Sequence, residues 1–254
     1  MVEQVLEVRS ASVSFGGLIA VDDISFSVTR GQVLGVIGPN GAGKTTLLNA
    51  LSGVIPLHRG DVRLNGVQLS GLKPHRIAAL GVGRTFQGAD YFLESTVLDV
   101  LMLGQWTHSR RSIAGAMFRV PSTVKSERRQ RDRAMSALED LGLAAIAEVP
   151  MATLSYGTRK ILDVLRAVLL EPTVLLLDEP TSGTTSIDRK VLYDLVANLK
   201  TRDIAIIVVD HDVRFISELS DVMLAMNFGR LLGIGRPREL LARDDVRAAY
   251  VGLE

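Results

Sequence analysis

The segment Gly38-Pro39-Asn40-Gly41-Ala42-Gly43-Lys44-Thr45-Thr46 has the residue types and the spacing needed to hold phosphate. Its glycines permit a tight loop whose backbone N–H groups converge, and convergent N–H groups bind anions. Lys44 adds a mobile positive charge that can reach the β- and γ-phosphates of a nucleoside triphosphate, and the Thr45 hydroxyl can hold Mg²⁺. The flanks agree with this chemistry. Val33-Leu34-Gly35-Val36-Ile37 reads as a strand before the loop and Leu47-Leu48-Asn49-Ala50-Leu51 as a helix after it. The N-terminus of that helix brings the positive end of its dipole to the same place.

Two further groups complete the chemistry. Val174-Leu175-Leu176-Leu177-Asp178-Glu179 is an apolar strand that ends in two acids. Ligands of open α/β sheets bind at the C-terminal ends of strands. Asp178 is therefore expected beside the phosphate loop as a Mg²⁺ holder. Glu179 points differently and can take a proton from an attacking water. Leu154-Ser155-Tyr156-Gly157-Thr158-Arg159-Lys160 opens a helix expected over residues 159–170. Ser155 and the backbone at Gly157 make an anion site at that helix tip. A chain with one complete phosphate loop has no use for a second anion site on its own nucleotide. The motif predicts a dimer in which it caps the γ-phosphate held by another subunit.

These groups need a scaffold that aligns strand ends. Residues 5–37 read as short strands with turns at Gly16-Gly17 and Arg30-Gly31, and Asp61–Leu64 as a strand closed by the Asn65-Gly66 turn. Helices are expected over 44–52, 74–80, 96–104, 123–142 and 186–200, with Ala134, Ala137, Leu138 and Leu141 at helical spacing. Ile204–Val209 is a second buried strand, residues 222–226 and 231–234 finish the sheet, and helices close the chain over 237–250. Strands alternating with helices imply an α/β fold with a mostly parallel sheet. The stretch 89–153 shows no strand pattern and reads as a helical insertion.

Composition sets limits. The chain has 254 residues, 47% of them hydrophobic and 22% charged, with a formal net charge of +1. That balance argues against a general nucleic-acid binder. With no cysteine, disulfides and thiolate chemistry are excluded. The N-terminus lacks the pattern of a secretory signal, and no apolar run has the length of a bilayer span. From Arg110 to Arg133 there are eight basic residues against the acids Glu127 and Asp132. This reads as a solvated helix face or as a surface turned toward membrane-protein loops or lipid headgroups.

With these motifs in this order, the chain resembles the ATPase subunit of an ABC transporter over essentially its whole length. Gln87, in Arg84-Thr85-Phe86-Gln87, matches the glutamine that senses Mg²⁺ and the attacking water. His211 matches the switch histidine that contacts the γ-phosphate, and Phe15 matches the aromatic residue on which adenine stacks. The resemblance is finer in Phe15-Gly16-Gly17-Leu18, in Leu154-Ser155-Tyr156-Gly157 and in the ending Val246-Arg247-Ala248-Ala249-Tyr250-Val251-Gly252. These are similar to the branched-chain amino-acid uptake branch, in the larger of its two ATPase types.

The resemblance implies a P-loop NTPase (RecA-like) core over 1–88 and 154–236 with an N-terminal antiparallel β subdomain. It further implies a helical subdomain over 89–153 and C-terminal helices over 237–254. It implies ATP and Mg²⁺ as ligands, a second ABC ATPase subunit, integral membrane permeases, an extracytoplasmic binding protein acting indirectly, and a peripheral location on the cytoplasmic face of the cell membrane. An ATPase of a lipid or lipopolysaccharide exporter, or a soluble non-transport ABC ATPase, is the alternative. Two positions depart from the family pattern. Thr158 stands where the signature has Gln, and Thr185 stands where the loop after the catalytic glutamate has Asp or Asn.

Overall fold

The structure, a computed structural model, describes residues 3–85, 92–105 and 121–251, with side chains from 125 onward in the last stretch and up to 250. Two long strands, β1 (Gln4–Phe15) and β2 (Leu18–Thr29), form an antiparallel hairpin. Their side chains alternate between buried and exposed, as expected of strands with one face on the core. β4 (Arg59–Leu64) and β5 (Val67–Gln68) join them in a four-stranded sheet of order β2-β1-β4-β5. The β4–β5 turn is Asn65-Gly66, both with positive φ, as a two-residue hairpin turn with the right twist requires.

The second sheet has six strands in the order β10-β9-β3-β8-β7-β6. It uses β3 (Val33–Ile37), β6 (Val82–Arg84), β7 (Val174–Asp178), β8 (Ala205–Val209), β9 (Val222–Asn227) and β10 (Arg230–Gly235). All neighbours are parallel except β10, which runs antiparallel to β9. Every residue of β3, β7 and β8 is buried. Helices on both faces explain the unbroken apolar runs in these strands.

Among the described residues the α-helices are α1 (Lys44–Leu51), α2 (Pro74–Ala79), α3 (Val97–Gly104), α4 (Pro121–Asp140), α5 (Tyr156–Val168), α6 (Ser186–Thr201), α7 (Val213–Leu219), α8 (Pro237–Leu241) and α9 (Asp244–Val251). One core lies between the two sheets and α1. A second lies on the opposite face of the large sheet, under α5, α6 and α7. A third joins α3, α4 and α5 through Leu98, Leu101, Ala134, Leu138, Leu162 and Leu165. Ala134 and Leu138, expected on the inner helix face, are fully buried there, with Ala137 and Leu141 at the margin.

Four local features differ from the sequence expectation. The short strands expected over residues 5–37 are two twelve-residue strands, β1 and β2, ahead of the short β3, because the hairpin pairs along almost its whole length. The signature helix begins at Tyr156 rather than 159, because Ser155 caps it, and it ends at Val168. The edge strand β6 has no sequence signal: it is short, carries Gly83, and exists by pairing in parallel with Val174–Leu176. Helix α7 has no counterpart among the expected elements; the Asp212 side chain starts it by accepting from the Phe215 amide at 3.0 Å.

The helical insertion is held to α5 by this third core. Leu138→Ala leaves a cavity at a site with no exposed surface, and a loss of about 2–5 kcal/mol is expected, read by urea unfolding of the purified chain.

Candidate functional site

The ladder register fixes the site. Val36 of β3 and Asp178 of β7 both sit opposite Val209 of β8. The phosphate loop, the Asp178-Glu179 pair and the Asp210-His211 pair therefore leave the sheet side by side at the C-terminal edge. A cavity of about 200 Å³ lies there, lined by Ala20, Asn40–Thr46 and Glu179. A larger one, of about 370 Å³ between α4, α5 and α6, has Leu165, Leu195 and Leu199 in its lining but no loop amide or strand end, so its size carries no chemistry.

The loop is shaped for an anion. Gly43 is the N-cap of α1 with φ 96°, and a Cβ there would overlap the Ala20 carbonyl. Only glycine fits such a position. α3, α5, α6 and α7 each begin with a side chain that accepts a backbone amide. α1 has no such cap and no acid in its first turn. Its leading N–H groups are left for a ligand. The loop is pinned from outside as well: the Gly229 amide donates to the Ala42 carbonyl at 3.0 Å. The Tyr250 phenol, pushed up to about 12 by burial, is hydrogen-bonded to the Gly38 backbone.

Lys44 is buried, with 7% of its surface exposed, and its ammonium donates to the Gly38 and Pro39 carbonyls at 2.7 and 2.9 Å. Burial holds its pKa below the ordinary lysine value, against the opposing pull of Glu179, Asp178 and Asp210. The nearest acids therefore favour its charged form, while its direct partners are neutral carbonyls that a phosphate can replace.

Asp178 is fully buried. One carboxylate oxygen accepts from the Thr45 hydroxyl at 3.3 Å and the other faces Arg84 at 3.2 Å. A hydroxyl beside a carboxylate is a hard-oxygen pair of the kind Mg²⁺ takes together with phosphate oxygens and water. Among the described residues no cluster of three or more His, Cys, Asp or Glu forms a metal cage. A carboxylate, a hydroxyl and substrate oxygens are the donor set that remains, and it fits Mg²⁺.

Glu179 follows with φ 48°, a left-handed backbone uncommon outside glycine. Its amide donates to the Val209 carbonyl at 2.8 Å, and its carbonyl accepts from Lys160 of α5 at 3.2 Å. The kink turns its half-buried side chain out of the strand direction and into the loop cavity. Asp210 is buried and accepts from the Thr181 amide and hydroxyl at 2.9 and 2.7 Å. Its other oxygen lies 3.4 Å from Nδ1 of His211, whose side chain is 59% exposed.

At the tip of α5, the Ser155 hydroxyl accepts from the Thr158 amide at 3.1 Å and lies 2.9 Å from the Thr158 hydroxyl. Thr158 thus pairs with Ser155 where the family pattern has Gln. Gly157 is buried against the carboxylate of Asp188, and a Cβ there would overlap it. That same carboxylate accepts from the Thr185 amide and hydroxyl at 2.9 and 2.7 Å, completing a capping box for α6. Thr185 lacks a carboxylate, yet Asp188 brings one to the same turn, against the signature glycine.

Phe15 ends β1, is 48% exposed, and does not line the loop cavity. Gln87 lies outside the described residues, as do Arg110, Arg111 and Arg119 of the basic stretch. Of the rest of that stretch, Arg131 and Arg133 are paired with Glu148 and Glu171, and Arg128 and Arg129 are exposed. Residue-by-residue reading missed Arg84, Lys160, Asp210 and Asp188. Arg84, Lys160 and Asp210 were signalled only by lying in or beside a motif, whereas Asp188 stands at the capping-box spacing from Thr185.

A family model described as "ABC transporter" matches residues 21–182. Over 253 residues, 99% of each chain, the protein is 35% identical to the high-affinity branched-chain amino acid transport ATP-binding protein BraF of Pseudomonas aeruginosa. It is 33% identical, at the same coverage, to the protein LivG of Escherichia coli, which carries the same description. Among solved structures, a nucleotide-free ATP-binding cassette from an ABC transporter superposes with a TM-score of 0.86 at 26% identity, covering 98% of this chain and 99% of that one. The ADP conformation of an ATP-binding cassette superposes with a TM-score of 0.84, also at 26% identity and the same coverage.

The capping role of Thr185 can be measured directly. Thr185→Ala removes the acceptor for the Asp188 amide, and a loss of about 1 kcal/mol is expected in urea unfolding, with Thr185→Ser, which keeps the hydroxyl, restoring most of it.

Proposed function

Because this chain belongs to the ABC transporter family, as an ATP-binding ATPase subunit, we propose that it energises an importer of branched-chain amino acids or related small molecules. The importer reading rests on the full-length likeness to BraF and LivG, whose descriptions name that transport. The site reading rests on one observation: the uncapped loop, Asp178-Glu179 and Asp210-His211 leave adjacent strands at one sheet edge.

The resemblance and the geometry together support the following roles. ATP phosphates bind on the backbone of Gly38, Pro39, Asn40, Gly41, Ala42, Gly43, Lys44, Thr45 and Thr46. Lys44 exchanges its loop carbonyls for the β- and γ-phosphates. Thr45 and Asp178, with Gln87 by the family resemblance, would hold Mg²⁺, which would neutralise charge on the phosphates. Glu179 accepts the proton of the attacking water. The ring of His211, oriented through Nδ1 by Asp210, presents its other nitrogen to the γ-phosphate. Phe15 stacks on adenine from the end of β1. Ser155 and Gly157 close over the γ-phosphate held by a partner subunit, so that hydrolysis needs two cassettes.

The partners we propose are a second ABC ATPase, as homodimer or paralogue, and integral membrane permeases, with an extracytoplasmic binding protein served indirectly. Among the described residues no helix is long and apolar enough to cross a membrane, which is consistent with peripheral association. The cytoplasmic face is where ATP is present. A cavity of about 240 Å³ beside Arg84, lined by the exposed Val54 and Leu103 between α2, α3 and α5, offers a permease loop an apolar seat. We divide the chain into a nucleotide core (1–88 and 154–236), a helical subdomain (89–153) and C-terminal helices (237–254); the helical subdomain packs on α5 of the core through Leu162 and Leu165, and Leu240 and Val246 of the C-terminal helices pack into a cluster they share with the core.

Glu179→Gln is expected to bind ATP with wild-type affinity and to lower kcat by about 10²–10⁴-fold, read by phosphate release and by nucleotide titration. Turnover near the wild-type rate excludes Glu179 as the base. Lys44→Ala is expected to fail earlier, weakening ATP binding itself by at least about tenfold in the same titration.

A further inference from the structure

Arg84 has no part in holding nucleotide or metal in the roles above, yet it lies 3.2 Å from the carboxylate assigned to the metal. It ends β6 with a side chain only 13% exposed. One arm of the guanidinium donates to the Ser52 hydroxyl at 2.6 Å and the other to Asp178 at 3.2 Å. Ser52 closes α1, its hydroxyl bonded to the Leu48 carbonyl at 2.8 Å. The forked side chain therefore spans from the far end of the phosphate-loop helix to the end of β7.

The Asp178 carboxylate is held on both sides: Thr45 takes one oxygen and Arg84 the other. A buried carboxylate without a counter-charge is costly, and burial lowers the Arg84 pKa while Asp178 raises it. The guanidinium stays charged in proteins and fixes geometry as well as charge. The backbone of Arg84 is anchored too. Its carbonyl accepts from Arg166 of α5 at 3.2 Å, and Arg166 is itself locked to Asp163 at 2.8 Å. The signature helix thus connects through Arg166 and Arg84 to Asp178 without passing through the nucleotide.

We infer that Arg84 is a positioning residue for the metal: it is the outer partner that holds Asp178 with one oxygen toward Thr45, ready for Mg²⁺, and its counter-ion when Mg²⁺ is absent. This rests on the proposed reading of Asp178 as the metal holder. Outer partners of metal-binding carboxylates orient them, and losing such a partner typically lowers metal affinity by about 10–100-fold. Arg84 touches Asp178 and Ser52 rather than the loop cavity, so its effect belongs to the metal and not to nucleotide binding as such.

The test measures ATP affinity by titration with Mg²⁺ and again with EDTA, together with Mn²⁺ binding followed by its electron paramagnetic resonance signal in the presence of ATP. Wild type should show a metal-linked gain in affinity, and Asp178→Asn should abolish it. Arg84→Met should lose at least about tenfold of that gain and of Mn²⁺ affinity, while its affinity in EDTA stays within about twofold of wild type. Arg84→Lys keeps the charge but not the fork, and should fall between the two. It also carries the test if Arg84→Met does not fold. A full metal-linked gain in Arg84→Lys and Arg84→Met, or an equal loss with and without metal, overturns the inference and leaves Arg84 a packing residue. If wild type itself shows no metal-linked gain, the assignment of Asp178 fails, and the role of Arg84 falls with it.

Discussion

The site depends on the register of three parallel strands. β8 lies between β3 and β7, and its Val209 is level with both Val36 and Asp178. Neighbouring strands are about 4.8 Å apart, so the loop leaving β3 and the acids ending β7 stand about 10 Å apart across β8. A slip of one residue in either ladder would turn Asp178 toward the opposite face of the sheet. The uninterrupted burial of β3, β7 and β8 and the helices on both faces fix that register. Chemistry at the edge is thus a consequence of apolar packing in the middle.

The buried polar groups have a common logic. Lys44, Lys160, Asp178 and Asp210 are all buried near this edge. Each is hydrogen-bonded: Lys44 to loop carbonyls, Lys160 to the Glu179 carbonyl, Asp178 to Thr45 and Arg84, and Asp210 to Thr181. Burying such groups is unfavourable unless they are paired, and well-packed apolar residues could fill the same volume at no loss of stability. Their presence makes sense as preorganisation. The partners of Lys44 are exchangeable, whereas those of Asp210 and the Glu179 backbone are rigid. The edge therefore combines a fixed frame with one cation free to change hands.

Much of this was legible in the sequence because it is written in short-range patterns. The phosphate loop, the apolar strands Val174–Asp178 and Ala205–Val209, and the long helices α4 and α6 all appear within a residue or two of their expected bounds. What stayed hidden depends on partners distant in the chain. β6 is defined only by pairing with β7, more than eighty residues away in the chain. Arg84 gains meaning from Ser52 and Asp178, and Asp188 from Gly157. The departure at Thr185 looked like a missing carboxylate in the sequence. In the fold it is a capping box whose acid is Asp188.

The claim that these strand ends form one triphosphate site is tested most directly by a crystal structure of the chain with a non-hydrolysable ATP analogue. The account predicts the β- and γ-phosphates against the leading amides of α1, with the Lys44 ammonium moved from the Gly38 and Pro39 carbonyls onto phosphate oxygens. Phosphates bound elsewhere, or Lys44 still on its carbonyls with the analogue in place, would contradict it.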